Sequence, residues 1–196
     1  MNNTNILPYK NELYRKAVHI CSLFFPLLYM YTEFNIFILF MSLGTSIIII
    51  IDLLRNKTKI LENTLEYFLG PVYRPYEKNG IMGATYMLIG FMLISIGFNM
   101  TQTIYGMFVV IFSDSMAALI GIKYGKIYLI NNKTLEGSFA FIITTALILI
   151  FLNLNINLHE IIIIAIISTL TELLTPTKFD NLSIPIVSAI ILGAFI

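Results

Sequence analysis

The feature that most constrains the fold of this chain is a series of seven apolar runs separated by short polar breaks. A bilayer core about 30 Å thick needs roughly 20 helical residues, and the second and fourth runs reach about that length. Hydrocarbon offers no partner to a backbone N–H or C=O group, so each run is predicted to be an α-helix. We place the spans near residues 17–31, 34–52, 81–98, 103–122, 138–154, 160–174 and 182–196. The sequence therefore predicts an all-α, polytopic transmembrane helix bundle that forms one domain over residues 1–196.

The composition excludes several classes of protein. Hydrophobic residues make up 58% of the 196 residues and charged residues 12%, whereas about 25% of a typical soluble domain is charged. The chain has too much apolar surface for a water-soluble globule, and its net charge of +1 gives no basic field for nucleic acid. Its single cysteine, Cys21, excludes an intramolecular disulfide and any site built from several cysteines.

The positions of the basic residues predict the orientation in the membrane. With seven spans, all 12 lysines and arginines fall on the side that holds the N-terminus, and the connections on the other side carry none. The positive-inside rule places the basic side in the cytoplasm, with the C-terminus outside. Two shorter spans contain Pro26 and Pro185, which are expected to interrupt their helices. Broken helices inside a bundle commonly line a cavity.

The cytoplasmic loop 53–80 is predicted to contain an amphipathic helix. Apolar residues recur at helical spacing between its charged residues, at Leu54, Leu61, Leu65 and Phe68. Gly70-Pro71 ends the pattern. Such a helix either lies on the cytoplasmic membrane surface or packs against the bundle.

Polar side chains within or beside a span cost free energy, so each is a candidate for function. On a helix, Glu12, Arg15, Lys16 and His19 share one face, because positions three, four and seven residues apart lie above one another. Two cations and an imidazole on this face could hold phosphates, with Glu12 fixing their rotamers. The same residues would also suit a positive-inside anchor whose histidine bonds to a neighbouring helix.

Asp114 is a carboxylate deep within a span. It lies seven residues before Gly121, roughly 10 Å along a regular helix, and shares a stripe of small residues with Ala117 and Ala118. Such a carboxylate could bind a hydrated divalent cation, a proton or a coupling ion. Alternatively, it is hydrogen-bonded to the neighbouring serines or paired with a lysine.

Two more polar clusters flank the later spans. Lys133-Thr134-Leu135-Glu136-Gly137-Ser138 brings Lys, Thr and Ser donors next to a glycine. This set could cradle phosphate, with Glu136 taking a metal or a ribose hydroxyl, or it could be a capped helix start. Glu172 and Asp180-Asn181 flank the loop between the last two spans. With Asp114, they give three acids that could converge at the cytoplasmic end of the bundle.

Taken in order, these clusters resemble the membrane family of CTP-dependent lipid-alcohol kinases, which includes dolichol kinase, phytol and farnesol kinase, and CTP-dependent diacylglycerol kinase. The resemblance extends from about residue 10 to residue 190, and in size the chain resembles the compact phytol-kinase-like members. The similar blocks are Glu12-x-x-Arg15-Lys16-x-x-His19, Glu77 with Gly83-Ala84-Thr85-Tyr86 and Gly90, Asp114-x-x-Ala117-x-x-x-Gly121-x-x-x-Gly125-Lys126, Lys133-Thr134-x-Glu136-Gly137-Ser138, and Glu172 with Asp180-Asn181-x-x-x-Pro185.

The resemblance implies transfer of the γ-phosphoryl group of CTP, with Mg²⁺, to the hydroxyl of a membrane lipid alcohol such as phytol, geranylgeraniol or a polyprenol. The catalytic residues would be Asp114, His19 and Asp180, and the metal ligands Asp114, Glu172 and Asp180. The nucleotide would be bound by Arg15, Lys16, Gly121, Lys126, Lys133, Glu136, Gly137 and Ser138. Residues on the substrate side or supporting the site would be Glu12, Glu77, Gly83 and Asn181.

Three other functions stay open on the sequence. A CTP-dependent diacylglycerol kinase would use the same chemistry on another lipid. A CTP:lipid-phosphate cytidylyltransferase, of CDP-diacylglycerol or CDP-archaeol synthase type, would release pyrophosphate instead, but Asp180-Asn181 lacks the glycines of the Gly-Gly-x-x-Asp-Arg-x-Asp ending that CDP-diacylglycerol synthases carry. A small ion-coupled transporter could use Asp114 and Glu172 as coupling carboxylates. Against it, nearly all polar groups lie on one side of the membrane, whereas alternating access needs a pathway to both.

Overall fold

The computed structural model describes residues 7–55, 57–78 and 80–196 and is an all-α protein over these residues. Its α-helices are, in chain order, α1 (Tyr9–Cys21), α2 (Phe24–Tyr31), α3 (Phe34–Arg55), α4 (Lys59–Leu69), α5 (Gly83–Gly97), α6 (Met100–Phe108), α7 (Asp114–Tyr124), α8 (Leu135–Phe151), α9 (Leu158–Leu174) and α10 (Asp180–Gly193). The described residues form no strand beyond an isolated antiparallel bridge between Tyr128 and Thr134. Residues 1–6 of the predicted domain, and positions 56 and 79 of the predicted loop, lie outside the described residues.

Two helices in the described part of the chain are long and apolar enough to cross a membrane. One is α3, and the other is the continuous helix Met100–Tyr124, in which a π-helical segment (Val109–Ser113) joins α6 to α7. α5, α8 and α10 are shorter apolar helices. The outer face of α3 exposes large apolar side chains along its length, at Leu39, Phe40, Leu43 and Ile47. Apolar faces of this extent are typical of surfaces that lipid or another protein covers.

The first predicted span is two helices rather than one. α1 begins at Tyr9 instead of residue 17 and ends at Cys21, and α2 begins at Phe24 after a short turn. The N–H of Ser22 bonds to the carbonyl of His19 at 3.0 Å and closes α1. Pro26 lies in the first turn of α2, where a helix tolerates proline. The break therefore precedes the proline and is made by the turn that caps α1.

The helix Met100–Tyr124 lies at the centre of the bundle, packed against α5, α8 and α10. The side chains that fill the core include Phe91, Tyr105, Phe141, Ile164 and Ile184, all fully buried. A Cβ atom at Gly106 would lie 2.6 Å from the carbonyl oxygen of Pro185, so glycine allows α6 to approach α10 closely. α10 continues through Pro185, so the predicted interruption there is wrong.

The amphipathic helix predicted within residues 53–80 corresponds to α4. It ends at Leu69, directly before Gly70-Pro71, whereas Leu54 belongs to α3. None of its residues is buried. Ile60, Tyr67 and Phe68 are among the most exposed large apolar side chains of the described residues. The apolar face of α4 is therefore open rather than packed into the bundle.

The contact between α7 and α8 depends on glycine. A Cβ atom at Gly137 would lie 2.8 Å from the carbonyl oxygen of Ala117, and backbone cannot move aside as a flexible side chain can. We expect Gly137→Ala to lower the free energy of unfolding by about 1–3 kcal/mol, measured by thermal unfolding in detergent. Gly44→Ala in α3 is the matched control, because its Cβ would meet nothing within 4 Å. Loss of a mid-helix glycine should make that variant about 0.5–1 kcal/mol more stable. Equal stability of the two variants would contradict the close packing.

Candidate active site

A cavity of about 480 Å³ lies where α1, α7, α8, α9 and the start of α10 meet the loops at 74–76, 128–134 and 176–178. Its volume falls within the range of small-molecule sites, roughly 300–1,000 Å³. The charged side chains that line it are Glu12, Arg74, Asp114, Lys133, Glu172, Lys178 and Asp180. Apolar lining comes from Leu7, Ala117, Ala118 and Ile122. The three carboxylates that the sequence suggested could converge, Asp114, Glu172 and Asp180, all line this one cavity.

The polar residues of α1 lie on its buried face, as their spacing predicts: Glu12, Arg15, Lys16 and His19. Lys16 is 1% exposed and forms an ion pair with Asp114. Because each buried ion loses several kcal/mol of hydration, each member of this pair needs the other. His19 is buried as well, and its Nδ1 has no hydrogen-bond partner among the described residues. Lys16 and His19 lie behind the cavity and do not line it.

Glu12 is shared by two guanidinium groups. Arg15 Nε lies 3.1 Å and Arg74 Nη2 lies 3.3 Å from Glu12 Oε1. Burial disfavours the charge on Glu12, but the two guanidinium groups outweigh burial and lower the pKa of the carboxyl. Burial also opposes the charge on Arg74, yet the Glu12 carboxylate outweighs it and raises the pKa of the guanidinium. The Glu12 carboxylate and the Arg74 guanidinium are therefore charged at neutral pH.

The π-helical segment before α7 sets the direction of Asp114. π-helical turns are rare and occur frequently at functional sites, because they shift the register of the side chains that follow. The Thr145 hydroxyl of α8 donates to Ser113 Oγ at 2.9 Å and fixes the end of the segment to α8. The next residue, Asp114, faces both Lys16 and the cavity.

Lys133 holds the opposite wall together. Its Nζ lies 3.1 Å from a carboxylate oxygen of Glu172 and 3.1 Å from one of Asp180, and it also donates to the backbone carbonyl of Glu172. The preceding residues, Asn131 and Asn132, have left-handed backbone angles, with φ of 58° and 60°. Asparagine tolerates this region better than most residues. The Asn131 amide donates to the last carbonyls of α9 at 3.1–3.2 Å, which fixes the loop that carries Lys133.

The segment 133–138 is both a capped helix start and part of the cavity wall. Thr134 Oγ1 accepts the N–H of Gly137 at 3.2 Å and caps α8. Gly137 and Ser138 line the cavity together with Gly121 of α7. Glu136 instead faces outwards and accepts the backbone N–H of Lys126 at 3.0 Å. The exposed side chain of Lys126 does not line the cavity.

Glu77, Gly83 and Asn181 join the elements behind the cavity. The Glu77 carboxylate accepts the N–H groups of Arg74 and Gly83, both at 2.7 Å. The Asn181 amide donates to the carbonyl of Gly83 at 2.9 Å. These bonds tie the loop that carries Arg74 to the starts of α5 and α10. Their geometry suits a supporting role rather than contact with a ligand.

A sequence relative establishes the family. The protein of Rickettsia prowazekii (strain Madrid E) described as "Uncharacterized protein RP860" is 33% identical over 184 residues, covering 89% of this chain and 90% of that protein. The chain belongs to the family of that protein. No model of a known protein family matches the chain, and no solved structure matches it. The match to the rickettsial family extends over most of the helices described above.

The structure thus divides the predicted site residues into two groups. Those that line the cavity are Glu12, Asp114, Gly121, Lys133, Gly137, Ser138, Glu172 and Asp180. Those that do not are Arg15, Lys16, His19, Glu77, Gly83, Lys126, Glu136 and Asn181. The sequence interpretation missed Arg74 and Tyr76, which lie in a charged loop without periodicity. The signal that could have found them is their position within the three residues that precede Glu77.

The donor set fits a divalent cation that arrives with phosphate. Among the described residues, no group of three or more His, Cys, Asp or Glu side chains could hold a metal ion alone. Mg²⁺ commonly binds through one or two carboxylates together with substrate phosphates and waters. Glu172 supplies one such oxygen, since its Oε2 is buried with no hydrogen-bond partner in the described chain. Asp180, on the same lysine, could supply a second.

Proposed function

We propose that this protein is a CTP-dependent lipid kinase that transfers the γ-phosphoryl group of CTP to the hydroxyl of an isoprenoid alcohol in the membrane. The observation that carries the proposal is one cavity that joins Asp114, Glu172, Asp180 and Lys133 to the start of α8. In the reaction the acceptor oxygen bonds to the γ-phosphorus and the bond to the bridging oxygen breaks. CDP leaves, and the hydroxyl proton passes to a carboxylate or to water.

The cavity supplies what phosphoryl transfer requires. Such reactions need positioning and charge neutralisation more than covalent help from the protein. The start of α8, at Gly137 and Ser138, presents the positive end of a helix dipole to the cavity. Lys133, Arg74 and Lys178 add cations to the lining. Glu172 and Asp180 would hold the Mg²⁺ that accompanies the nucleotide, and the metal would neutralise phosphate charge.

We assign to Asp114 the role of base towards the acceptor hydroxyl. Asp114 lines the cavity beside Ala117, Ala118 and Ile122, which offer an apolar path for a lipid. His19, the other candidate base, does not line the cavity. A base must come within hydrogen-bond reach of the proton it takes, so the geometry favours Asp114 over His19.

We further propose seven spans, with the cavity on the cytoplasmic side. The N-terminal segment and the three basic loops that the positive-inside rule assigns to the cytoplasm all contribute to the cavity lining, through Leu7, Arg74, Lys133 and Lys178. Their convergence at one end of the bundle supports placing them on one side. In a variant that lacks Cys21, a cysteine introduced at Lys57 should react with a membrane-impermeant maleimide only from the cytoplasmic side. Labelling from the outside would contradict the orientation.

Label transfer tests the function. Purified protein in detergent receives Mg²⁺, mixed prenols, diacylglycerol and lipid phosphates, with CTP labelled at either the α or the γ phosphate. We expect γ label in a prenyl phosphate and no α label in lipid. γ label in phosphatidic acid instead would indicate a diacylglycerol kinase, and α label in lipid a cytidylyltransferase. Nucleotide binding without transfer would reject these acceptors, and the absence of binding would favour the transporter.

A further inference from the structure

The cavity has two walls, each built from linked ion pairs. On the α1 side, three cations face two carboxylates among the described residues, which leaves one positive charge. On the side of α9 and α10, one cation lies between two carboxylates, and Lys178 of the neighbouring loop lines the cavity as well. The first group is Glu12, Arg15, Lys16, Arg74 and Asp114, and the second is Lys133, Glu172 and Asp180. Cations and carboxylates therefore occur on both sides of the cavity, which suits a ligand that combines phosphate with a divalent cation.

Arg74 is the cation of the α1 wall that can reach a ligand. Lys16 lies behind the cavity, and its charge is matched by Asp114. Arg15 does not line the cavity. Arg74 does line the cavity and is 8% exposed. It shares Glu12 with Arg15, so a single carboxylate neutralises two guanidinium groups only in part. Its Nε has no hydrogen-bond partner within the described residues. A buried guanidinium with an unused donor is suited to bind phosphate oxygens.

We propose, on the basis of the kinase function above, that Arg74 binds the terminal phosphate of the nucleoside triphosphate donor. The triphosphate then lies with its end against the α1 wall, next to Asp114, and the accompanying divalent cation lies towards Glu172 and Asp180. In this arrangement Lys133 neutralises Glu172 and Asp180 instead of serving as the main triphosphate ligand. Asp114 is paired with Lys16 on the side away from the cavity and positions the acceptor hydroxyl on the cavity side.

The contrast between CTP and CDP tests the contact with the terminal phosphate. Binding of each to the purified protein in detergent is measured by calorimetry for the wild type and for Arg74→Gln. A charge-assisted hydrogen bond contributes about 1.5–3 kcal/mol, so we expect CTP affinity to fall about 10- to 100-fold. CDP affinity should stay within about twofold. Lys78→Gln, an exposed cation in the same loop, is the matched control and should bind both nucleotides as the wild type does.

A second variant keeps the test decisive if Arg74→Gln does not fold. Arg74→Lys retains the charge beside Glu12 but loses the planar fork of donors, so it should still weaken CTP more than CDP. Thermal unfolding in detergent establishes that each variant is folded. Equal losses for CTP and CDP in a folded variant would overturn the assignment, because the missing contact would then not be to the terminal phosphate.

Inorganic tripolyphosphate separates failure of this assignment from failure of the kinase function. Tripolyphosphate binding that depends on Arg74, without transfer of label from CTP, would retain the phosphate site and reject the kinase. Turnover of CTP by Arg74→Gln at wild-type affinity would retain the kinase and reject the role of Arg74. If the wild-type protein shows no detectable binding of CTP, CDP or tripolyphosphate, both the kinase function and the role of Arg74 would be overturned.

Discussion

Asp114→Asn is expected to lower the free energy of unfolding by about 3–5 kcal/mol. The substitution leaves the ammonium group of Lys16, which is 1% exposed, without its carboxylate. An uncompensated buried charge is among the most destabilising consequences of a single substitution. Thermal unfolding in detergent measures the loss. Glu66→Gln is the control, because the Glu66–Lys78 pair is more than half exposed and exposed pairs contribute about 0–1 kcal/mol.

The double variant Lys16→Met/Asp114→Asn separates the charge from the packing. It buries no charge at this position, so it should recover most of the stability that Asp114→Asn loses. Lys16→Met alone should be destabilised as well, because Asp114 would then be the unpaired charge. An Asp114→Asn variant as stable as Glu66→Gln would show that this ion pair does not hold α1 against α7.

Removal of divalent cations is expected to weaken CTP binding on the order of 100-fold, equivalent to about 2.7 kcal/mol. Four carboxylates line the cavity: Glu12, Asp114, Glu172 and Asp180. A triphosphate alone would be repelled by them, whereas a Mg²⁺ complex brings its own neutralising charge. Titration of CTP in EDTA, followed by addition of Mg²⁺, measures the effect.

The same titration tests which wall holds the cation. Asp180→Asn should raise the Mg²⁺ concentration needed for half-maximal CTP binding, since Asp180 is one of the two carboxylates proposed to hold the cation. Glu66→Gln, on the exposed surface of α4, should leave that concentration unchanged. Identical CTP affinity with and without Mg²⁺ in the wild type would reject a metal-dependent nucleotide site.

Periodicity predicted much of the fold but not its interruptions. The apolar runs gave α5, α8, α9 and α10 to within a few residues, because each helix has an uninterrupted apolar pattern. The break between α1 and α2 was expected at Pro26 but lies before it, at Ser22 and Leu23, neither of which is a helix-breaking residue. The π-helical segment before Asp114 was missed for a similar reason: Val109–Ser113 carries no local signature, and packing on α8 determines it.

The sequence predicted the members of the site better than their partners. Helical spacing was sufficient to place Glu12, Lys16 and their neighbours on one buried face. It could not show that Lys16 pairs with Asp114, 98 positions away, because that pairing depends on how α1 packs against α7. Arg74 was missed for the same reason, because its burial depends on the contact of its loop with Glu12 of α1.

Turnover by the double variant Lys16→Met/Asp114→Asn tests most directly whether the proposed phosphoryl transfer takes place in this cavity. The variant lacks the acceptor-side carboxylate but carries no unpaired charge, so its thermal unfolding should be close to that of the wild type. Transfer of γ label from CTP to lipid should fall about 100- to 1,000-fold, while Lys78→Gln stays within about twofold of the wild type. A stable double variant that transfers γ label at the wild-type rate would contradict the assignment of the reaction to this site.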